Sequence, residues 1–309
     1  MKRKILIIRP SALGDTLMLL PALIGLKPWT DITLVGRAPA IDLLRPHVQI
    51  GIDFEGPGWH RLFMENGDSA TTLPIPPVDQ AVAFMTDPDG RFEKNLRACL
   101  PHGSIHMFAP FPPEKEKTHV AHYLAQCLQR SGLPLNAEKT IEDAERRPLF
   151  DERVPSDIKQ RIIFHPGSGG RKKNHPPELW IELIKVMKNN PLFKKMTFLL
   201  LLGPAEEPSY PLFEENAAGE NMQILLSPGK QVLVTTIKES VLFIGQDSGI
   251  THLAAMHGTP AIALFKNSNV HQWKPLGPAV RVIEDNGSRA DLIGQTLKRA
   301  DELMKEHQK

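Results

Sequence analysis

Short, continuously apolar runs alternate along this chain with longer segments whose apolar residues recur every three or four positions. Residues 4–9, 32–35, 161–165, 196–202, 240–245 and 260–265 are of the first kind. A strand covered on both faces loses its two-residue alternation, so these runs predict buried strands of parallel sheets. Segments 16–26, 120–130, 178–188, 231–238, 251–257 and 291–307 are of the second kind and predict helices. The first of these lines up Leu17, Leu20 and Leu23; the second carries Tyr123, Leu124 and Leu128 on one face. Weaker strands are expected at 50–54, 80–85, 105–108, 224–225 and 281–283, and a helix containing 212–217. Strand, helix, strand at this spacing means βαβ units, hence an α/β fold with parallel sheets. The Gly- and Pro-rich stretch 56–77 is expected to be irregular or a short helix plus loop. Segments 109–113 and 166–177 read as loops.

At 309 residues the chain exceeds the roughly 250 over which one core grows, so two domains are expected. The polar stretch 138–157, with Pro148 and Pro155, is the best place for the boundary. It divides the chain into 1–150 and 151–290, with a terminal amphipathic helix after that. Net charge is +2, which gives no case for a nucleic-acid partner but suits an anionic substrate. The N-terminal run after Met1-Lys2-Arg3-Lys4 is cut by Arg9, Pro10 and Asp15, so it is a strand and not a signal peptide. No window approaches the ~20 apolar residues of a membrane span. The expected location is therefore cytoplasmic, with any membrane contact peripheral and from the cytoplasmic face. Cys99 and Cys127 are the only cysteines and read as reduced thiols, and no Cys/His cluster has zinc-ligand spacing, so no metal is expected.

Three constellations could carry chemistry. Phe243-Ile244-Gly245-Gln246-Asp247-Ser248-Gly249-Ile250-Thr251-His252-Leu253-Ala254-Ala255 reads as strand, polar turn and helix start. In α/β proteins that junction holds phosphates and ribose hydroxyls, because free N–H groups and the positive helix end meet there. Gly203-Pro204-Ala205-Glu206-Glu207, after the 196–202 strand, adds carboxylates that suit ribose hydroxyls or simply a helix N-terminus. His165-Pro166-Gly167-Ser168-Gly169-Gly170-Arg171-Lys172-Lys173-Asn174-His175-Pro176-Pro177 joins a glycine-rich backbone to three consecutive cations, a phosphate-binding combination or a solvated basic loop. It does not match the Walker pattern. Arg9-Pro10-Ser11-Ala12-Leu13-Gly14-Asp15-Thr16 follows the first strand; Asp15 reads as a helix N-cap, a general base, or both. G-x-G-x-x-G is absent, so hydride chemistry loses support. Asp87-Pro88-Asp89 has the spacing of a metal-binding D-x-D pair but reads as a turn.

Taken together these motifs resemble glycosyltransferase family 9, the lipopolysaccharide heptosyltransferases. The family's opening S-x-x-G-D and L-P-A-L correspond to Ser11-Ala12-Leu13-Gly14-Asp15 and Leu20-Pro21-Ala22-Leu23. Its H-P-G-[ST], basic run and W-P correspond to His165-Pro166-Gly167-Ser168, Arg171-Lys172-Lys173 and His175-Pro176, with histidine in place of the family's tryptophan. Its D-[ST]-G-x-x-H-L-A-A is Asp247 to Ala255. Residues 36–118 carry little resemblance. The resemblance implies a GT-B fold, two Rossmann-like domains facing across a cleft, with the terminal helix, about 291–309, packing back on the first. It implies an inverting transfer of a sugar, heptose from ADP-heptose by family expectation, to a lipopolysaccharide core or related glycan or lipid-linked acceptor. Asp15 would be the base, with Ser11 and Gly14 on the acceptor side. Ser168, Lys173, Glu207, Asp247, Ser248, Gly249 and His252 would hold the donor, with no cofactor and no metal. A nucleotide-sugar epimerase on the same scaffold and a non-catalytic nucleotide-sugar binding protein are the alternatives. Oligomeric state is left open.

Overall fold

The computed structural model describes residues 2–65, 73–150, 158–217, 219 and 221–307. Part of the expected irregular stretch (66–72), part of the expected boundary (151–157) and the end of the terminal helix (308–309) lie outside the described residues. The chain forms two compact units, Met1–Asp143 and Ala144–Lys309.

The first unit runs β1 (Arg3–Ile8), α1 (Leu13–Leu17), α2 (Leu20–Leu26), β2 (Thr30–Gly36), α3 (Ala38–Leu44), β3 (Ile50–Asp53), β4 (Gln80–Phe84), α4 (Arg91–Cys99), β5 (Ser104–Phe108), α5 (Val120–Arg130) and α6 (Ala137–Arg146). The unit ends within α6. Among the described residues its five strands are parallel in the order β3-β2-β1-β4-β5. Ile5 to Ile8 of β1 are fully buried, as a strand covered on both faces requires. The single helix expected at 16–26 is two. Pro21 has no N–H for the Leu17 carbonyl and its ring crowds that turn, so the ladder breaks and Leu19 N–H bonds back to Thr16 instead (3.1 Å). The polar boundary segment begins as α6, a helix whose buried positions include only small residues, Ala137 and Ala144.

The second unit runs β6 (Lys159–His165), α7 (Pro177–Asn189), β7 (Thr197–Leu202), α8 (Tyr210–Ala217), β8 (Met222–Leu226), α9 (Lys230–Lys238), β9 (Ser240–Gln246), α10 (Gly249–Met256), β10 (Ala261–Phe265), α11 (Val270–Trp273), β11 (Val280–Glu284) and α12 (Arg289–His307). Among the described residues its six strands are parallel in the order β11-β10-β9-β6-β7-β8. One face of this sheet carries a core of Phe164, Leu200, Leu242, Ile244 and Leu264 from the strands with Trp180 and Ile184 from α7. Leu292, Ile293, Ala300 and Leu303 of α12 bury into this same core. Among the described residues no helix is long and apolar enough to cross a membrane.

Candidate functional site

Each sheet reverses its winding once. In the first unit the chain moves outward from β1 to β3, then returns to start again at β4; in the second it moves from β6 to β8 and restarts at β9. Loops leaving the two strands at such a point run to opposite faces and open a crevice at their carboxyl ends, where α/β proteins bind ligands. The reversal lies between β1 and β4 in one unit and between β6 and β9 in the other. The three constellations follow β1, β6 and β9, so strand order alone places them at the two crevices.

In the first unit the segment after β1 carries Ser11 in the loop and Gly14 and Asp15 in the first turn of α1, all half-buried. Asp15 is not the N-cap. Ala12 holds that position without a side-chain bond, and Asp15 is the third residue of α1. The Ser11 carbonyl accepts from Thr16 Oγ1 (3.2 Å), which closes the loop onto the helix. Asp87 and Asp89 are used locally. The Asp87 carboxylate accepts the N–H groups of Phe92 and Glu93 at the start of α4 (3.0 and 2.9 Å), and Asp89 pairs with Arg91 (3.0 Å). This fits the turn expected for this Asp-Pro-Asp, and Asp87 in addition caps α4.

In the second unit the loops after β6 and β9 meet. Lys173 Nζ donates to Asp247 Oδ2 at 2.6 Å, and His252 Nε2 stands 3.7 Å from Oδ1 of the same carboxylate. Asp247 and His252 are almost fully buried, whereas the Lys173 side chain is 35% exposed. Burial pushes the Asp247 carboxyl up, but bonding and charge from His252 and Lys173 more than offset it and hold the group below the usual carboxylate range. The ammonium also lies 5.5 Å from the Trp273 ring centre, on α11. Ser248 is the N-cap of α10; its Oγ accepts from Thr251 N–H (3.2 Å), and Gly249 is the first helical residue. Lys173, Asp247, Ser248, Gly249 and His252 are thus brought together. Ser168 folds onto its own loop, exchanging bonds with Gly170 (3.2 and 3.3 Å). Of the two adjacent glutamates, Glu206 turns inward and accepts from Gly203 N–H (2.9 Å), while Glu207 is exposed. Burial raises the Glu206 pKa.

Behind this cluster stands a brace that sequence reasoning missed. Buried Gln246, the last residue of β9, donates to the carbonyl of Pro166 and to Asn174 Oδ1 (3.0 Å), and its Oε1 accepts His175 N–H (2.9 Å). His175 is buried, with Nδ1 3.2 Å from the same Oε1 and Nε2 3.3 Å from Asp285. One side chain therefore ties both ends of the loop that carries Ser168 and Lys173. The histidine standing where the resemblance expects tryptophan acts as a polar hub. Burial lowers its pKa, although Gln246 and Asp285 favour the charged form. Asn267, with a left-handed φ of 54°, reaches across from the end of β10 to the Lys172 carbonyl (3.1 Å). The signal for Gln246 was available, since a buried amide ending an apolar strand needs partners; nothing local marked Trp273. Among the described residues no group of three or more His, Cys, Asp or Glu could hold a metal ion.

The family model of glycosyltransferase family 9 (heptosyltransferase) matches residues 92–297, more than half of the chain. The chain belongs to glycosyltransferase family 9. It is accordingly a glycosyltransferase, with the two parallel-sheet units of the GT-B class. The matched segment contains the Lys173–Asp247–His252 cluster, while the Ser11 to Asp15 loop lies before it. A family 9 glycosyl transferase from Veillonella parvula superposes with a TM-score of 0.72 at 17% identity, over 98% of each chain. E. coli heptosyltransferase WaaC with ADP gives 0.69 at 16%, over 96% of this chain and 99% of that one. E. coli ADP-heptose lps heptosyltransferase II gives 0.69 at 19%, over 99% of this chain and 100% of that one. No curated protein matches the sequence.

Proposed function

We propose that this family 9 glycosyltransferase moves heptose from ADP-heptose to a lipopolysaccharide core or related glycan, with inversion at the anomeric carbon. The observation that carries the donor half is the Lys173–Asp247–His252 cluster at the β6/β9 crevice, beside the N-terminus of an eight-residue helix. A nucleoside diphosphate has the charge for this place. Lys173 and the first N–H groups of α10 would stabilise the negative charge that the leaving diphosphate gains. Ser168 and its glycine-rich backbone would flank the phosphates, Glu207 would take ribose hydroxyls, and Asp247 and His252 would face the sugar. ADP as carrier is supported by the ADP-bound and ADP-heptose-named E. coli relatives.

On the acceptor side Asp15 takes the proton of the attacking hydroxyl as that oxygen bonds to the anomeric carbon and the bond to the phosphate oxygen breaks. Such general-base help is worth typically 10²–10⁴-fold. Ser11 and Gly14 line the same loop. A lipid-linked acceptor would be met peripherally, at the cytoplasmic surface of the inner membrane. The test is transfer from ADP-heptose to heptose-deficient lipopolysaccharide by wild type and Asp15→Asn. Loss of transfer by about 10²-fold or more, with ADP affinity kept, supports the base. Wild-type turnover in the variant removes Asp15 from the chemistry.

A further inference from the structure

Arg9 occupies a place where a side chain of its kind is costly. It directly follows β1, is fully buried, and sits among core residues of the first unit. A buried guanidinium loses its hydration and needs compensating partners. Two of its donors have them: Nε bonds the Asp15 carbonyl (3.0 Å) and Nη1 bonds the Pro110 carbonyl (2.7 Å). Nη2 is buried with no partner among the described residues. The Arg9 Cζ lies over two aromatic rings, 5.7 Å from the centre of Phe84 and 5.2 Å from that of Phe111.

These partners follow the strand order. Phe84 ends β4, which separates β1 from β5 in the sheet, and Pro110 and Phe111 lie just beyond β5. Arg9 thus spans the end of β4 and joins the loop of Asp15 to the loop after β5. Tyr123 of α5 secures the adjoining carbonyl, its hydroxyl donating to Ala109 O (3.0 Å). Two consecutive carbonyls of Ala109-Pro110-Phe111-Pro112-Pro113 are therefore held by two elements, in a segment whose prolines already restrict it. Lysine offers its three donors from a single rotatable nitrogen and cannot reproduce the rigid fork that sets Nε on one carbonyl and Nη1 on the other.

We propose that Arg9 is a positioning residue, a clamp that holds the Asp15 loop and the 109–113 loop at a fixed separation on the acceptor side. This rests on reading Asp15 as the base. Burial lowers the Arg9 pKa to about 10, with the Asp15 charge foremost among those that raise it, so the clamp stays a cation at neutral pH. The attraction is mutual, and Arg9 therefore also favours the Asp15 carboxylate.

The test compares wild type, Arg9→Lys, Arg9→Met and Asp15→Asn in two assays. Amide hydrogen exchange over residues 10–17 and 108–118 reads the clamp itself. In both Arg9 variants the two segments should exchange together, about tenfold faster, with the second unit unchanged. Transfer from ADP-heptose to heptose-deficient lipopolysaccharide reads the consequence. kcat should fall about 10–100-fold in Arg9→Lys with ADP affinity kept, and the acid limb of the rate profile should move up by about one pH unit in Arg9→Met. Unchanged exchange in either loop, or faster exchange with kcat and acid limb intact, overturns the proposal. Asp15→Asn separates the two readings. If that variant keeps its turnover while the Arg9 variants loosen both loops and lose kcat, the base assignment fails and the clamp stands.

Discussion

Replacing Lys173 with methionine keeps most of the side-chain volume and removes the charge that faces Asp247. Loss of one partner from a fully buried ion pair typically costs about 3–5 kcal/mol, because the other charge is left without compensation. Here Asp247 is 4% exposed but Lys173 is 35% exposed. Water can follow the truncated side chain, and His252 remains 3.7 Å from the carboxylate. The expected loss is therefore smaller, about 1–2 kcal/mol, or a Tm lower by about 2–8 °C if the second unit melts as one domain. Donor binding should suffer independently. A single ammonium on a diphosphate is worth about 1.4–2.7 kcal/mol, hence a roughly 10–100-fold weaker Kd for ADP by calorimetry. Asp247→Asn separates the effects, since it breaks the same ion pair without removing a cation from the phosphate site. It should lower Tm by a similar amount and leave ADP affinity unchanged or tighter. In the double variant the stability losses should add to less than their sum by about 1 kcal/mol. An unchanged ADP Kd in Lys173→Met would refute the phosphate role. Strict additivity of the two stability losses would refute the pair as a coupled, buried interaction.

Two further outcomes follow from the second unit. Alanine at Gly167 would put its Cβ into the Glu206 carboxylate and displace it from Gly203 N–H, at a cost of about 1–3 kcal/mol; an unaltered Tm would show that the two loops are not packed as described. His165 is buried with Nδ1 on the Leu201 carbonyl, and desolvation depresses its pKa from 6.5 to about 4. A depressed pKa means the unfolded chain binds the proton first, so this contribution is intact above pH 6.5 and is lost as pH falls through about 4, by about 3 kcal/mol in all. Thermal melts from pH 7 to 4 should show a steeper acid loss in wild type than in His165→Gln, and parallel curves would contradict the assignment.

What the sequence shows plainly is the set of strands buried on both faces. Runs such as Phe198 to Leu202 and Leu242 to Ile244 have no polar face to hide their identity. The Asp247-Ser248-Gly249 turn and its cap were equally legible, because Ser248 uses its own hydroxyl within four residues. Helices with little apolar surface were not. In α4 only Phe92, Asn95 and Leu96 are buried, and α6 buries alanines, so neither leaves a stripe strong enough to outweigh its charges. Contacts across the sheet were legible only in part. Lys173 and Asp247 are 74 residues apart, and each sits in a motif of its own; their meeting follows from the β6–β9 pairing. The Gln246–His175–Asp285 brace and the Arg9 clamp depend on where loops from separate strands end, which no local pattern encodes. The same limit explains the choice of Glu207 over Glu206 as the glutamate of interest, since which one turns inward is set by Gly203 and Gly167.

Sugar transfer by this chain requires first that it bind the nucleotide half of a donor. Calorimetric titration of the whole protein with ADP, UDP, GDP and CMP, each with and without magnesium, measures this without any choice of acceptor. ADP binding that is tighter than that of the other nucleotides and indifferent to magnesium is the predicted result. Binding of UDP or GDP in its place would replace ADP-heptose as donor. Binding of none of them would contradict the assignment of Lys173, Asp247 and the start of α10 as the donor site.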